Sequence, residues 1–327
     1  GYLSLLQWAK QHGCSVASYH VCAATAKGGH LEVLKWLKEV DCLWVGVTCC
    51  SNAAREGHLE VLKWLRENGC DWNGHSCCEA ASGGHLEVLK WLRENDCSWD
   101  INTTIGAAEG GHLEVLKWLR ENGCQFGPRV SATAARLGHL EMLKWLRENG
   151  CPWDETCAVD AAPAQHFAVL KWARENGCPW NGSATRSAAA SGRMDILKWL
   201  HENGCPLAAS APHVAAYNGH FEVLKWLHEN GCRLGKNTFV AVVEGGQLEI
   251  MKWLHEKGCN FDRVRCSEGA MLNGRLEELK WLREHGAPWA KLYYLPNGRQ
   301  SEVPSPSPPP TPHEMTHPML SVDKMGH

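Results

Sequence analysis

Ala53-Ala54-Arg55-Glu56-Gly57-His58-Leu59-Glu60-Val61-Leu62-Lys63-Trp64-Leu65-Arg66-Glu67-Asn68-Gly69-Cys70-Asp71-Trp72-Asn73 is the stretch on which the fold turns. Val61, Leu62, Trp64 and Leu65 fall at i, i+1, i+3 and i+4, which sets them on one face of a helix. Glu60, Lys63 and Glu67 lie on the opposite face, where each i,i+3 or i,i+4 ion pair contributes about 0.2–0.5 kcal/mol. Asn68-Gly69 stops the helix, because glycine enters the left-handed conformation at least cost. Upstream, Thr48 to Arg55 reads as a shorter helix whose Ala53-Ala54 pair allows a neighbouring helix to approach closely. Gly57 turns the chain between the two.

The same pattern returns along the chain. Its tryptophan recurs as Trp8, Trp36, Trp64, Trp91, Trp118, Trp145, Trp172, Trp199, Trp226, Trp253 and Trp281, at intervals of 27 or 28 residues. A fixed period of that size marks a solenoid of stacked units, each touching only its neighbours. Two short antiparallel helices cannot bury their apolar faces alone, so the units must stack. The expected fold is therefore an all-α helical-repeat solenoid over residues 1–290, in which a tryptophan from each hairpin wedges against the next. A second aromatic or leucine rung follows each helix, from Trp44, Trp72 and Trp99 through Phe126 to Trp289. A leucine-rich repeat shares the period, but its required Asn or Cys would fall at Glu67, and the Glu/Lys/Leu content favours helix over strand.

Bulk properties exclude several function classes. The 327 residues carry a net charge of −3, which gives no positive field to gather nucleic acid. No apolar run approaches the roughly 20 residues of a membrane helix, and no secretory signal is visible. The chain opens at Gly1 in what reads as the second half of a repeat, as expected of a fragment or a processed N-terminus. Of the 17 cysteines, ten form a ladder at the repeat period, from Cys14 and Cys42 to Cys232 and Cys259, with Ala287 as the next rung. Stacked helices lie about 8–10 Å apart, beyond the Cα separation of about 7 Å that a disulfide tolerates. Neighbouring rungs are thus expected to be reduced, buried thiols, pointing to a cytoplasmic protein with the nucleus as the alternative compartment.

The quoted stretch resembles the ankyrin repeat. The correspondence covers the alanine pair, the Gly57-His58 turn, the second helix, and Gly69-Cys70-Asp71-Trp72-Asn73, where Cys70 and Trp72 stand for alanine and valine. It recurs from Gly1 to about Trp289. An ankyrin unit has about 33 residues, so this one is some six shorter. The missing part is where ankyrins place a β-hairpin finger. The resemblance implies a non-catalytic scaffold or adaptor that binds a partner protein through the first-helix, concave face. The alternative is the substrate-targeting arm of a larger enzyme, such as a ubiquitin-ligase adaptor with its functional domain upstream of Gly1.

In that comparison the ligand-facing positions are the two residues after each alanine pair. Arg55, Glu109, Arg136, Tyr217 and Glu244 are the candidate partner contacts, since these positions vary while the core stays constant, and Arg and Tyr favour interface centres. Their alternating signs disfavour a polyanion. The turn histidines (His58, His85, His112 and their equivalents) are separated from the nearest preceding ladder cysteine by 15 or 16 residues, without the close pairs structural zinc requires. They read as structural, and no metal or cofactor is expected. No nucleophile–base set or phosphate loop stands apart from the repeat, so no enzymatic activity is expected.

Two segments depart from the pattern. Pro163 follows one alanine pair, Gln165 replaces the turn glycine and Ala173 replaces a helix leucine, which predicts a soft joint between Ala161 and Ala173. Residues 291–327, with Pro304-Ser305-Pro306-Ser307-Pro308-Pro309-Pro310-Thr311-Pro312, read as a disordered proline-rich tail of a kind that SH3 or WW domains bind.

Overall fold

The computed structural model describes residues 2–16, 18–42, 46–163 and 166–288. Trp44, Trp289 and the proline-rich tail lie outside the described residues. Within them the chain forms twenty-one α-helices and no strand. The order is a second helix, Tyr2–Gln11, followed by ten hairpins of a first and a second helix. The all-α solenoid expected from the period is the fold observed.

One repeat shows why the sequence folds this way. The first helix, Gly46–Arg55, ends at Gly57, whose φ of +78° sits in the left-handed region. His58, with φ −83° and ψ 72°, redirects the chain into the second helix, Leu59–Glu67. That helix ends in a double cap. The Asn68 side chain donates to the Trp64 carbonyl at 2.7 Å. Beyond it, the Gly69 and Cys70 amides donate back to Arg66 and Leu65 at 3.1 and 3.0 Å, with Gly69 at φ +79°. Only a short link then precedes the next first helix, Gly74–Ser82, whose N-cap Asn73 accepts from the His75 amide at 3.0 Å. There is no room for a finger. The first helix is not the shorter partner expected: it has ten residues against nine, because it begins at Gly46 and the turn removes residues from the second helix.

The two helix layers pack differently. Each first helix lies against the first helices of the repeats before and after it, whereas second helices touch one another only lightly. Small residues make the inner approach feasible: Cys49, Cys50, Ala53 and Ala54 are fully buried. At Gly106 even a methyl group would come within 2.7 Å of the Cys78 carbonyl. Close first helices and wider-set second helices curve the stack, with the first helices on the inner side.

The second helix buries Val61, Leu62 and Leu65, and fully removing each such side chain from water stabilises by roughly 1.5–3 kcal/mol. Trp64 does not join them. It is half-buried, as are its equivalents from Trp36 to Trp281, and Trp8 is 56% exposed. Each indole packs against the neighbouring hairpin, as expected, but with only part of its surface buried. Because the second helices stand apart, each ring lies across the outer gap with one side toward solvent. The Trp91 ring meets Trp72 of the preceding repeat at 5.3 Å and an interplanar angle of 89°. Trp118 meets Trp99 likewise at 5.4 Å, and Trp199 meets Trp180 at 5.7 Å. The Arg66 guanidinium covers Trp72 at 4.4 Å.

The cysteine ladder is buried apart from Cys14 and Cys232. It is also polar in its use: Cys97 donates to the Asn73 carbonyl at 3.3 Å, Cys124 to Asp100 at 3.4 Å and Cys205 to Asn181 at 3.2 Å. Each thiol thus ties the end of its repeat to the start of that repeat's first helix. Burial pushes the Cys124 and Cys205 thiols up to about 11. No two neighbouring rungs are bonded, but the all-reduced expectation is corrected at one place. Cys42 is paired with Cys22, which lies in the first helix of its own repeat and is not a rung. In the repeat carrying Pro163, the first helix spans only Thr156–Ala161.

Candidate partner-binding face

The face built by the first helices carries every candidate contact residue. Arg55, Glu109, Arg136 and Tyr217 are exposed there, and Glu244 is half-buried. Each directly follows a fully buried pair (Ala-Ala, or Val242-Val243 before Glu244), which fixes its backbone against the neighbouring first helix. Its side chain is left free to vary.

The structure links some of these residues and separates others. Arg55 bonds Glu79 of the next repeat at 2.7 Å, and that carboxylate is only 16% exposed. The hydrogen bond to Glu79, and then its charge, raise the Arg55 pKa above its ordinary value. Glu109 and Arg136, one repeat apart, approach to 3.9 Å. Arg136 also faces Asp160, whose carboxyl is raised by burial and held back by Arg136 and Arg129. Tyr217, 49% exposed, stands away from this charged group. The Glu244 backbone carbonyl accepts from Arg275 Nε at 3.2 Å. The centre of the face is thus a run of mixed charges shared between repeats. Beyond it, Tyr217 is a lone aromatic.

Glu79 and Asp160 were not among the sequence-based candidates. Both sit one turn earlier in their helices, in the row that gives Asn52 and Ser187 in other repeats. The available signal was a carboxylate in a row otherwise filled by small or neutral residues.

The turn histidines are structural. His58 Nε2 donates to the Lys27 carbonyl at 3.0 Å, His112 to Ser82 at 3.1 Å and His220 to Ala190 at 3.0 Å, each reaching back to the previous repeat. Arg275 takes over that role where histidine is absent. Among the described residues no group of three or more His, Cys, Asp or Glu side chains is arranged to hold a metal ion. No described helix is long and apolar enough to cross a membrane.

Comparison with known proteins agrees with this architecture. The family model described as ankyrin repeats (3 copies) matches residues 20–105 and 185–265, together just over half of the chain. No curated protein matches the chain. Among solved structures, the human ASB11 ankyrin repeat domain is similar at 21% identity and a TM-score of 0.40. That alignment covers 48% of this chain and 84% of the ASB11 domain.

Proposed function

The chain belongs to the ankyrin-repeat family, and from that premise we propose that it is a non-catalytic adaptor binding a partner protein through its first-helix face. Ankyrin repeats are in general protein–protein interaction modules. The observation that carries the reading is the contrast within each first helix. The buried pair is the same at Ala53-Ala54, Ala107-Ala108, Ala134-Ala135 and Ala215-Ala216, while the exposed residue that directly follows it changes from Arg55 to Glu109, Arg136 and Tyr217. A shared scaffold with individual surface chemistry recognises a shaped, chemically mixed surface, as a folded protein presents. Mixed charge on Arg55, Glu79, Glu109 and Arg136 suits a partner with complementary ion pairs more than a uniformly charged polymer. Fifteen unpaired cysteines support a reducing compartment, the cytoplasm.

The test is site-specific photo-crosslinking. A photoreactive residue at Tyr217 or Arg136 is compared with one at Lys198 on an outer, second-helix surface. The reading expects one partner protein to be captured from the first two positions and not from Lys198. It also expects an Arg55/Arg136/Tyr217 triple alanine variant to lose that partner. Capture from Lys198 alone, or undiminished binding by the triple variant, overturns the assigned face.

A further inference from the structure

Asparagine is followed by glycine eleven times in this chain, and ten of those pairs lie among the described residues. An Asn-Gly peptide can react with itself: the glycine nitrogen attacks the side-chain amide carbon and closes a succinimide ring. Glycine favours this because it carries no Cβ to obstruct ring closure. In a folded chain the outcome turns on whether the two reacting groups are free to meet.

Eight of the ten pairs are locked twice over. Six, among them Asn68, Asn122 and Asn230, close second helices, while Asn218 and Asn273 close first helices. In each, the side-chain Nδ2 donates to the carbonyl four residues back, at 2.7 to 2.9 Å. In each, the glycine amide also donates to the carbonyl three residues before it, as Gly69 does to Arg66 at 3.1 Å and Gly219 to Ala216 at 3.2 Å. Asn73 and Asn181 are built otherwise. They are the N-caps of the nine-residue first helices Gly74–Ser82 and Gly182–Ala190. Gly74 and Gly182 stand at the first helical position, where an amide has no acceptor within the helix. The side chains accept instead of donating: Asn73 Oδ1 takes the His75 amide at 3.0 Å and Asn181 Oδ1 the Ser183 amide at 2.8 Å. Water access does not separate the two classes, since Asn73, Asn181 and seven of the eight locked asparagines are all exposed.

We propose that Asn73 and Asn181 are sites of spontaneous deamidation, the two described Asn-Gly pairs at which this fold leaves the imide free to form. The positive end of the helix dipole favours loss of the Gly74 amide proton to hydroxide. The nitrogen then bonds to the Asn73 side-chain carbon, and the charge that develops on Oδ1 falls on the atom already accepting from His75. The bond to Nδ2 breaks, and ammonia leaves with a proton taken from water. A water molecule next opens one of the two imide C–N bonds. One opening gives aspartate; the other gives isoaspartate, in which the main chain runs through the side-chain carbons. The two products differ in consequence. Aspartate is tolerated, because Asp100 and Asp154 hold this position in sister repeats and accept from the Asn102 and Thr156 amides at 2.8 and 2.9 Å. Isoaspartate lengthens the main chain beside the Asn73 and Asn181 carbonyls that accept from Cys97 and Cys205. It therefore loosens the tie between the cysteine ladder and the first helix.

The experiment incubates the folded full chain at mildly alkaline pH and follows each asparagine by peptide mapping, with aspartate and isoaspartate told apart by fragmentation mass spectrometry. Two hydrogen bonds must open first at each locked site, so Asn73 and Asn181 are expected to convert at least about tenfold faster than any of the eight. In concentrated urea, with those bonds gone, all ten should convert at similar rates. An Asn73→Asp variant, which copies Asp100, is expected to keep the parent's urea midpoint and to convert at Asn181 as before. The proposal is overturned if Asn73 and Asn181 convert no faster than the locked sites in the folded chain, or if the same ranking persists in urea.

Discussion

Replacing Gly84 with alanine tests the claim that stacked histidines stitch one repeat to the next. Gly84 sits at φ +78°, a conformation that costs an L-residue about 1–2 kcal/mol. Its added methyl would also stand 2.5 Å from Cε1 and Nδ1 of His112, one repeat on. That ring cannot yield freely, because its Nε2 is bonded to the Ser82 carbonyl at 3.1 Å. Moving it aside forfeits a hydrogen bond with a net value of about 0.5–1.5 kcal/mol. Gly123→Ala supplies the reference, since Gly123 has φ +77° and nothing within 4 Å of the added methyl. Backbone strain and the reduced freedom of the unfolded chain are common to both variants and cancel. Gly84→Ala is therefore expected to be more destabilising than Gly123→Ala by about 0.5–1.5 kcal/mol, read from urea unfolding followed by tryptophan fluorescence. The double variant Gly84→Ala/His112→Ala carries a second check. The hydrogen bond is lost once and not twice, so the double should cost less than the sum of the singles by the same amount. Equal costs for the two glycines, or strict additivity in the double variant, would refute the stitch.

Three further outcomes follow from the structure. Asp96 holds the helix-ending position that Gly69 and Gly123 hold elsewhere, at φ +60°; Asp96→Gly should stabilise by about 0.5–1 kcal/mol, the strain relieved less the entropy glycine adds to the unfolded chain, and an unchanged or lowered urea midpoint would contradict this. His139 Nε2 is buried without a hydrogen-bond partner, and burial, then His166 and His112, lowers its pKa below the ordinary 6.5. The unfolded chain then binds more protons just below pH 6.5, so stability is full above that value and falls as pH drops through it; a His139→Gln variant should lose less stability than the parent between pH 7.5 and pH 5.5, and identical losses would argue against it. In the repeat with the six-residue first helix, the amides of Ala161 and of Phe167–Ala173 should exchange with deuterium faster than those of Ala188 and of Met194–Leu200 one repeat on, and equal protection would remove the proposed soft joint.

What the sequence disclosed and what it withheld divide along a physical line. The hairpin, its turn at Gly57 and its stop at Asn68-Gly69 were legible because they depend on neighbours within one helical turn. The depth of Trp64 was not. Its apolar face matched Val61, Leu62 and Leu65, but how far an indole sinks is set by the gap between second helices of different repeats. Likewise the need for a small group at Cys97 could be read, while its donation to the Asn73 carbonyl could not. For the contact face, the varying position at Arg55 was visible in the chain, and its partner Glu79 was hidden. These hidden contacts share a rule. Stacking turns a fixed sequence offset into proximity: 24 residues for Arg55 with Glu79 and Cys78 with Asn102, and 30 for His112 with Ser82 and His220 with Ala190. The offset is a little under one period when the chain reaches forward along the inner face, and a little over when a turn reaches back. Once a solenoid's period is known, complementary side chains at those two separations are the pairs to seek. Glu79 would have been found that way, as the carboxylate 24 residues beyond a variable arginine.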